Sequence, residues 1–204
     1  MSIAELAPAR KERLLQICRE GGAGAGSALA TFVGAANAAI TVDVSETREL
    51  NSLAAHVAGA EAVVVGFELS GDAGGVLVSM TNSATARRVA GCLLGAETDD
   101  VDLDDPRVHG ALSEVGNIVA SAFLNAMSRV IGAPCLPSVP DLNRDEGVAA
   151  LGRALERARA SIDEGAMLLE VTLGATPPLR FDLAFIPDAP ALDRLGEITA
   201  QPGA

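Results

Sequence analysis

The order of the predicted strands and helices is repeated along the chain, and this repeat constrains the fold more than any other feature. Two apolar strands separated by a turn and followed by a helix are predicted over residues 62–94 and again over residues 167–198. The turns, Ser70–Gly75 and Gly174–Pro178, are rich in residues that tight connections need. Strands joined in this way run antiparallel. The sequence therefore predicts two copies of one strand–turn–strand–helix unit.

A long helix is predicted at the start of each copy. The first covers about Arg10–Phe32 and is rich in Ala and Gly, and the second covers about Pro106–Ile131, followed by Gly132. A short extended segment and a second helix are predicted between each long helix and its hairpin, at Ile40–Val44 and Glu46–Val57 in the first copy and at Cys135–Val139 and Glu146–Asp163 in the second.

These elements predict an α/β (α+β) fold with internal pseudo-two-fold symmetry. The first copy spans about residues 9–97 and the second about residues 104–200, and no polar linker divides them. We therefore expect a single domain in which both copies share one antiparallel sheet, with the long helices packed on it. Because internal duplication supplies a two-fold relation within one chain, we expect a monomer.

The composition argues against several classes of partner. A net charge of −12 is unsuited to nucleic acid or to anionic membranes, which both require clustered Lys and Arg, and Lys11 is the only lysine. Five Phe without Trp or Tyr offer little surface for stacking bases. No apolar run is long enough to span a bilayer, and the N-terminus lacks the order of a secretory signal. We expect a cytoplasmic protein that binds neither nucleic acid nor membrane.

Other candidate motifs lack a required partner. The segment Gly21–Gly26 has neither the spacing nor the lysine of a nucleotide-binding loop, so close helix packing explains it better. The acidic run Asp99–Asp105 lacks the glycine and the final glutamate of an EF-hand. Three widely spaced cysteines and two histidines favour reduced thiols and argue against zinc. His109 has no evident partner, and Cys135, between Pro134 and Leu136, is expected to be buried.

One polar stripe on the second long helix has the residue types of a chemical site. Its members fall on one side of a helical projection and are Glu114, Asn117, Ser121, Asn125 and Ser128. The apolar residues cluster on the other side and are Leu112, Val115, Val119, Phe123, Ala126 and Val130. Glu114 and Asn117 stand one turn apart, so both side chains can reach the same external object. A solvated helix face would show the same pattern, and periodicity alone leaves both interpretations open.

The segment Glu114-Val115-Gly116-Asn117 resembles the E-x-x-N signature of the CheC, CheX and FliY phosphatases of bacterial chemotaxis, and the chain is most similar to CheC. Pro140 follows Asn117 at the spacing at which that family has a proline. The Ser70-Gly71-Asp72 turn and the Phe185-Ile186-Pro187-Asp188 segment also resemble the family, so the similarity extends over nearly the whole chain.

This resemblance implies a hydrolase that removes phosphate from the phospho-aspartate of the response regulator CheY. Asn117 is then expected to orient the attacking water, Glu114 to dock on a lysine of the regulator, and Pro140 to shape the nearby loop. A neutral amide suits this task because it can donate and accept hydrogen bonds without repelling phosphoryl oxygens. The resemblance implies Mg²⁺ in the regulator and no metal or cofactor of the chain's own.

Two departures from the family pattern concern the number of sites and the activity. Gly110 stands where the family often has Asp or Ser. Aligned on Gly22–Gly24, the first copy places Ile17 and Glu20 at the motif positions and Asp43 at the proline position, which implies a single site. The alternative function is a non-catalytic adaptor, for example one that binds the receptor deamidase CheD. Retention of the trio in the second copy favours the phosphatase.

Overall fold

The computed structural model describes residues 2–47, 53, 61–71, 74–157 and 165–198 of the chain. Within these residues the helices are α1 (Pro8–Phe32), α2 (Ser83–Leu94), α3 (Pro106–Ile131), α4 (Gly147–Arg157) and α5 (Ala189–Ile198). The strands are β1 (Ile40–Thr47), β2 (Glu61–Gly71), β3 (Gly75–Asn82), β4 (Cys135–Pro137), β5 (Asp141–Glu146), β6 (Ala166–Leu173) and β7 (Leu179–Pro187). Short 3-10 turns occur at Ile3–Glu5 and Thr98–Asp100.

All seven strands belong to one antiparallel sheet, as the sequence predicts. The strand order is β1-β6-β7-β3-β2-β4, and β5 pairs with the same strand, β2, as β4 does. The two central strands, β7 and β3, come from different copies of the repeat. The first copy contributes β1, which pairs with β6 of the second copy, and the second copy contributes β4 and β5, which pair with β2 of the first. Each copy therefore completes the sheet of the other.

The two faces of the sheet carry different helices because successive side chains of a strand point to opposite faces. On β2, Val65 and Phe67 join a large buried cluster that includes residues of α1 and α3. Ala62 and Val64 join a second cluster with residues of α4 and with Leu53. The long helices thus lie on one face of the sheet and α4 lies on the other. The outward-facing residues of α3 are therefore on the side of the molecule opposite α4.

Local capping chemistry explains where α3 begins and ends. The Asp105 side chain accepts a hydrogen bond from the backbone N–H of Arg107 at 2.8 Å, and Pro106 occupies the first turn, where its missing N–H costs nothing. Gly132 ends the helix with a φ of 71°, a left-handed conformation that glycine adopts without strain. The predicted bounds of this helix are confirmed.

The glycines of α1 allow close packing, as predicted. A Cβ atom on Gly21 would lie 2.5 Å from the ring of Phe123 on α3, so no larger residue fits there without movement. The Phe123 ring in turn contacts the Phe185 ring, with 5.9 Å between their centroids. The long helices are therefore seated against each other and against the sheet.

The structure differs from the predicted secondary structure in three places. Strand β5 was not predicted, because Asp141–Glu146 is almost entirely polar and is extended through its pairing with β2. The helix predicted from Glu146 begins at Gly147, and the part of it after Arg157 lies outside the described residues. The helix predicted at Glu46–Val57 begins too early, because Glu46 and Thr47 belong to β1. Apart from Leu53, which is helical, its remainder lies outside the described residues.

No helix among the described residues combines the length and the apolar character needed to cross a bilayer.

Candidate functional site

The polar stripe of α3 lies on the outer face of the helix. Glu114 and Asn125 are exposed, and Asn117 and Ser121 are half-buried. Val115, Val119 and Phe123, which alternate with them along the helix, are buried in the main core. Residues three apart on a helix lie about 5–6 Å from each other at Cβ, so the carboxylate of Glu114 and the amide of Asn117 can contact one partner together.

Gly116 sets the height of this segment above the sheet. A Cβ atom at Gly116 would lie only 2.8 Å from Cγ1 of Val65 on β2, which means that the α3 backbone rests directly on that side chain. The motif therefore has a fixed depth relative to the sheet. No role was predicted for Gly116, although an isolated glycine inside a helical pattern is a signal of close packing.

Pro140 lies in an irregular stretch at the edge of the sheet. Leu69 pairs with Pro137 and Gly66 pairs with Asp141, which leaves three residues, 138–140, opposite two on β2. This is a β-bulge, and a proline is tolerated there because it has no N–H to give to the ladder. Hydrogen bonds between Glu68 and Ser138 hold the bulge, from Ser138 N to Glu68 O at 2.8 Å and from Glu68 N to Ser138 Oγ at 3.1 Å.

The bulge lies close to the segment of β2 that supports the motif. Val65, the side chain beneath Gly116, pairs with Leu142, and Pro140 precedes Leu142 by two residues, or about 7 Å along a strand. The structure thus brings Glu114 and Asn117 together on one helix face and places Pro140 on the neighbouring edge strand. Val139 beside it is 87% exposed, so the bulge is open to the surroundings.

The N-terminal end of α3 is held by several contacts that involve charged residues. Hydrogen bonds from Arg107 hold the pKa of the Asp105 carboxyl below its usual value. A ring nitrogen of His109 lies 2.8 Å from the carbonyl oxygen of Leu103, which makes His109 a tether between the helix and the preceding segment. His109, for which the sequence shows no evident partner, therefore has one in the backbone of Leu103.

The cysteines do not offer a second site of chemistry. Cys18 and Cys135 are buried, Cys92 is exposed, and none of the three is in a disulfide. Burial raises the pKa of the Cys18 thiol to about 12, which keeps it protonated and unreactive. Within the described part of the chain, no group of His, Cys, Asp or Glu residues is arranged to hold a metal ion.

The region that contains this site matches known proteins. Residues 110–144 match a family model described as the CheC-like family. The chain is also 30% identical, over 99 residues, to a Halobacterium salinarum protein named CheC1, whose assignment as a CheY-P phosphatase is itself a proposal. That match covers 48% of this chain and 51% of the relative, so the chain spans about half the length of the curated relative that it matches.

The segment that contains the candidate site is thus similar to the CheC-like family.

Solved structures of FliY, FliM and CheX share the fold of this chain. FliY from Thermotoga maritima superposes with a TM-score of 0.66 at 16% identity, over 96% of this chain and 98% of FliY. FliM from a FliM–SpeE complex of H. pylori gives 0.70 at 11% identity, over 97% and 100%. CheX from a CheX–CheY–BeF3–Mg²⁺ complex of Borrelia burgdorferi gives 0.51 at 19% identity, over 80% and 92%. At these identities the likeness shows the fold alone.

The structure corrects the placement of the family motif in the first copy. A Cβ atom on Gly22 of α1 would lie 2.7 Å from Cγ1 of Val42 and 3.0 Å from Cδ2 of Leu169, so Gly22 rests on the sheet as Gly116 does. Leu169 and Val65 pair with Leu183 and Ser79, which pair with each other at the centre of the sheet, so Leu169 and Val65 occupy equivalent positions in the two copies. Gly22 is therefore the counterpart of Gly116.

This correspondence places Glu20 at the position of Glu114 and Ala23 at the position of Asn117. Both Glu20 and Ala23 are exposed, whereas Ile17, the residue first assigned to the glutamate position, is 1% exposed and belongs to the core. The predicted alignment was wrong by one helical turn, and the same shift moves the proline position from Asp43 to Glu46. The first copy retains the carboxylate of the family motif and lacks its amide.

Proposed function

We propose that this chain is a phosphatase that hydrolyses the phospho-aspartate of a CheY-type response regulator. The observation that carries the proposal is the pairing of an exposed carboxylate, Glu114, with an amide one turn later, Asn117, on the outer face of α3. Both residues lie inside the segment that matches the CheC-like family model. The solved complex of CheX with CheY supports a regulator of that kind as the partner.

The reaction needs little from the enzyme beyond the placement of a water molecule. Water attacks the phosphorus in line with the bond to the aspartyl oxygen; that bond breaks, and the products are inorganic phosphate and the free aspartate carboxylate. Asn117 accepts a hydrogen bond from the water through its amide oxygen, and its N–H₂ group donates to a phosphoryl oxygen. Because the amide is neutral, it approaches the anionic phosphoryl group without repulsion.

Glu114 fixes the position of the helix on the regulator. Its carboxylate is exposed on the same face as Asn117, one turn nearer the start of α3, and it pairs with a lysine of the regulator's active site. Pro140, in the bulge beside the motif, shapes the adjoining surface and takes no part in bond making. The Mg²⁺ ion belongs to the regulator, and the chain supplies no metal or cofactor. We further propose that the protein acts in the cytoplasm as a monomer.

The decisive experiment measures the decay of the acyl phosphate on a cognate CheY-type regulator in the presence of catalytic amounts of this protein. We expect faster decay with the wild type, no acceleration with Asn117→Ala, and weakened saturation with Glu114→Ala. Asn125→Ala is the matched control, because Asn125 is an exposed amide two turns further along the same helix face. It is expected to retain wild-type activity.

Two outcomes would contradict the proposal in different ways. Acceleration that survives Asn117→Ala would remove the amide from the mechanism. Unchanged decay despite a measurable complex with the phosphorylated regulator would leave a binding protein, and CheD would then be the next partner to test.

A further inference from the structure

A salt bridge joins the start of α3 to the edge strand β5. Nη2 of Arg144 lies 2.8 Å from Oδ1 of Asp104. The Arg144 side chain is only 20% exposed, whereas that of Asp104 is 77% exposed. The guanidinium group is therefore largely enclosed by the protein, and the carboxylate reaches it from the surface.

Arg144 lies on the same face of the sheet as α3. It pairs with Val63 of β2, and Leu142, two residues earlier on β5, packs against the cores that contain α3 residues. Residues two apart on a strand share a face. Val63 itself is buried in one hydrophobic cluster with Val108 and Leu112 of α3. The Arg144 side chain thus extends from the sheet toward the first turns of the motif helix.

Asp104 belongs to a segment that is held in place. It immediately precedes Asp105, whose side chain caps α3, and its own backbone N–H donates to Oδ1 of Asp102 at 2.9 Å. Leu103 on its other side is buried, and its carbonyl oxygen is the contact of His109. The salt bridge therefore connects β5 to a fixed point at the start of the helix.

Two segments of the chain, called arms below, connect this salt bridge to the proposed site: the first part of α3, and the stretch from Arg144 back to Pro140. Along α3, Glu114 lies eight residues after Pro106, the first residue of the helix, or about 12 Å at the rise of a helix. Along β5 and the bulge, Pro140 lies four residues before Arg144, or about 13 Å at the rise of a strand. The arms meet again where Gly116 rests on Val65, the partner of Leu142.

We propose that Arg144 and Asp104 are positioning residues that hold the motif helix and the Pro140 bulge at one spacing. This inference rests on the proposed phosphatase function, because it concerns how well Asn117 is aligned when a regulator is docked. Glu114 and Asn117 share one helix and move together, so docking through Glu114 survives loss of the bridge. The docked regulator also contacts the surface carried by β5, and without the bridge Asn117 and its water are no longer aligned relative to that surface.

The expected consequence is a loss in kcat with little change in KM. Small misplacement of a reacting group lowers rates strongly, and for Arg144→Gln or Asp104→Asn we expect kcat to fall by about three- to tenfold with KM changed by less than about twofold. Because both substitutions remove the salt bridge, the double variant should lose no more activity than Arg144→Gln alone. Arg144→Lys, which keeps the charge, should recover part of the loss.

Arg153→Gln provides a matched control, because it removes an ion pair made by Asp145, the residue next to Arg144 on β5. Nη1 of Arg153 on α4 lies 2.9 Å from Oδ2 of Asp145, the residue that follows Arg144. Asp145 points to the opposite face of the sheet because side chains alternate along a strand. Arg153→Gln therefore removes a surface ion pair of β5 on the far side from α3, and kcat should stay at the wild-type value.

The inference is overturned if Arg144→Gln and Asp104→Asn keep the wild-type kcat, if their losses multiply in the double variant, or if Arg153→Gln loses as much activity as they do. Asp104→Asn keeps the test valid even if Arg144→Gln folds poorly, since Asp104 is mostly exposed. A wild-type protein without activity would instead overturn the proposed function and this inference together. An active wild type with unaffected variants would overturn the inference alone.

Discussion

The two long helices of the molecule, α1 and α3, are built alike but expose different chemistry. Both lie on the same face of the sheet and pack against each other. Each rests on the sheet through a glycine, Gly22 in α1 and Gly116 in α3. The outer face of α3 carries a carboxylate and an amide one turn apart, whereas α1 carries the carboxylate of Glu20 followed by Ala23.

This difference separates what the fold requires from what the proposed reaction requires. The glycines are present in both helices because a side chain there would collide with the sheet. The amide at position 117 has no counterpart in α1, so packing does not demand it. The strands beneath the helices differ as well, because β1 pairs regularly from Ile40 to Thr47, whereas the corresponding edge strand of the second copy is broken by the bulge that contains Pro140.

The largest effect on the rate of hydrolysis is expected from removing the amide of α3 and placing one at the equivalent position of α1. In Asn117→Ala we expect hydrolysis to fall by about 100-fold or more, because the water loses the group that orients it. Adding Ala23→Asn to that variant should restore no more than about one tenth of the wild-type rate, since the first copy offers an equivalent carboxylate but lacks the bulge. The measurement is the decay of regulator acyl phosphate with the single and the double variant.

A double variant with full activity would show that the bulge is dispensable and that the copies differ only in the amide. A double variant no more active than Asn117→Ala would show that α1 has lost more than one functional group. Ala23→Ser, which places a hydroxyl group at the same exposed position, separates the effect of the amide from that of added bulk.

An intermediate effect is expected from the glycines on which the two helices rest. Alanine at Gly116 or Gly22 brings a Cβ atom to within 2.8 or 2.7 Å of a valine methyl group. Overpacking of this kind costs about 1–3 kcal/mol, and the better helix propensity of alanine offsets up to about 1 kcal/mol. We therefore expect both variants to lose about 1–2 kcal/mol in the free energy of unfolding, measured with denaturant.

Hydrolysis should distinguish the same two variants. Gly116→Ala lifts the segment that carries Asn117 and should lower the rate about tenfold, whereas Gly22→Ala should lower it by less than about twofold. Equal losses of activity in the two variants would mean that the rate follows overall stability, and the height of α3 above the sheet would then have no special importance.

The accuracy of the sequence-based predictions depended on whether a signal was local. The bounds of α3 and the last residues of α2 and α5 were predicted as observed, because residues such as Pro106 and Gly132 mark helix ends through contacts within a few positions. Strand β5 was missed because Asp141–Glu146 is extended only through its pairing with β2, which lies far away in sequence. The register of the motif in α1 was missed for a related reason, because helical periodicity does not show which residue of the helix approaches the sheet most closely.

The candidate site divides in the same way. The outward placement of Glu114 and Asn117 follows from helical periodicity and is confirmed. Pro140 was singled out as a site residue only by resemblance to the family. The bulge that holds Pro140 and the bridge between Arg144 and Asp104 depend on strand pairing, so no pattern in the sequence reveals them. The chemical roles of the three residues remain predictions.

The smallest effect is expected at Gly110, where the chain departs from the family pattern. Gly110 is an exposed residue of α3, and nothing lies within 4 Å of the position that a Cβ atom would occupy. Gly110→Ala should therefore raise the free energy of unfolding by about 0.5–1 kcal/mol through helix propensity alone and leave hydrolysis unchanged. Gly152→Ala in α4, which is equally unobstructed, is the control and should give a similar gain. If Gly110→Ala changed the rate of hydrolysis while Gly152→Ala did not, the open surface one turn before Glu114 would belong to the contact with the regulator, and the difference between the two long helices would begin earlier in α3 than the motif itself.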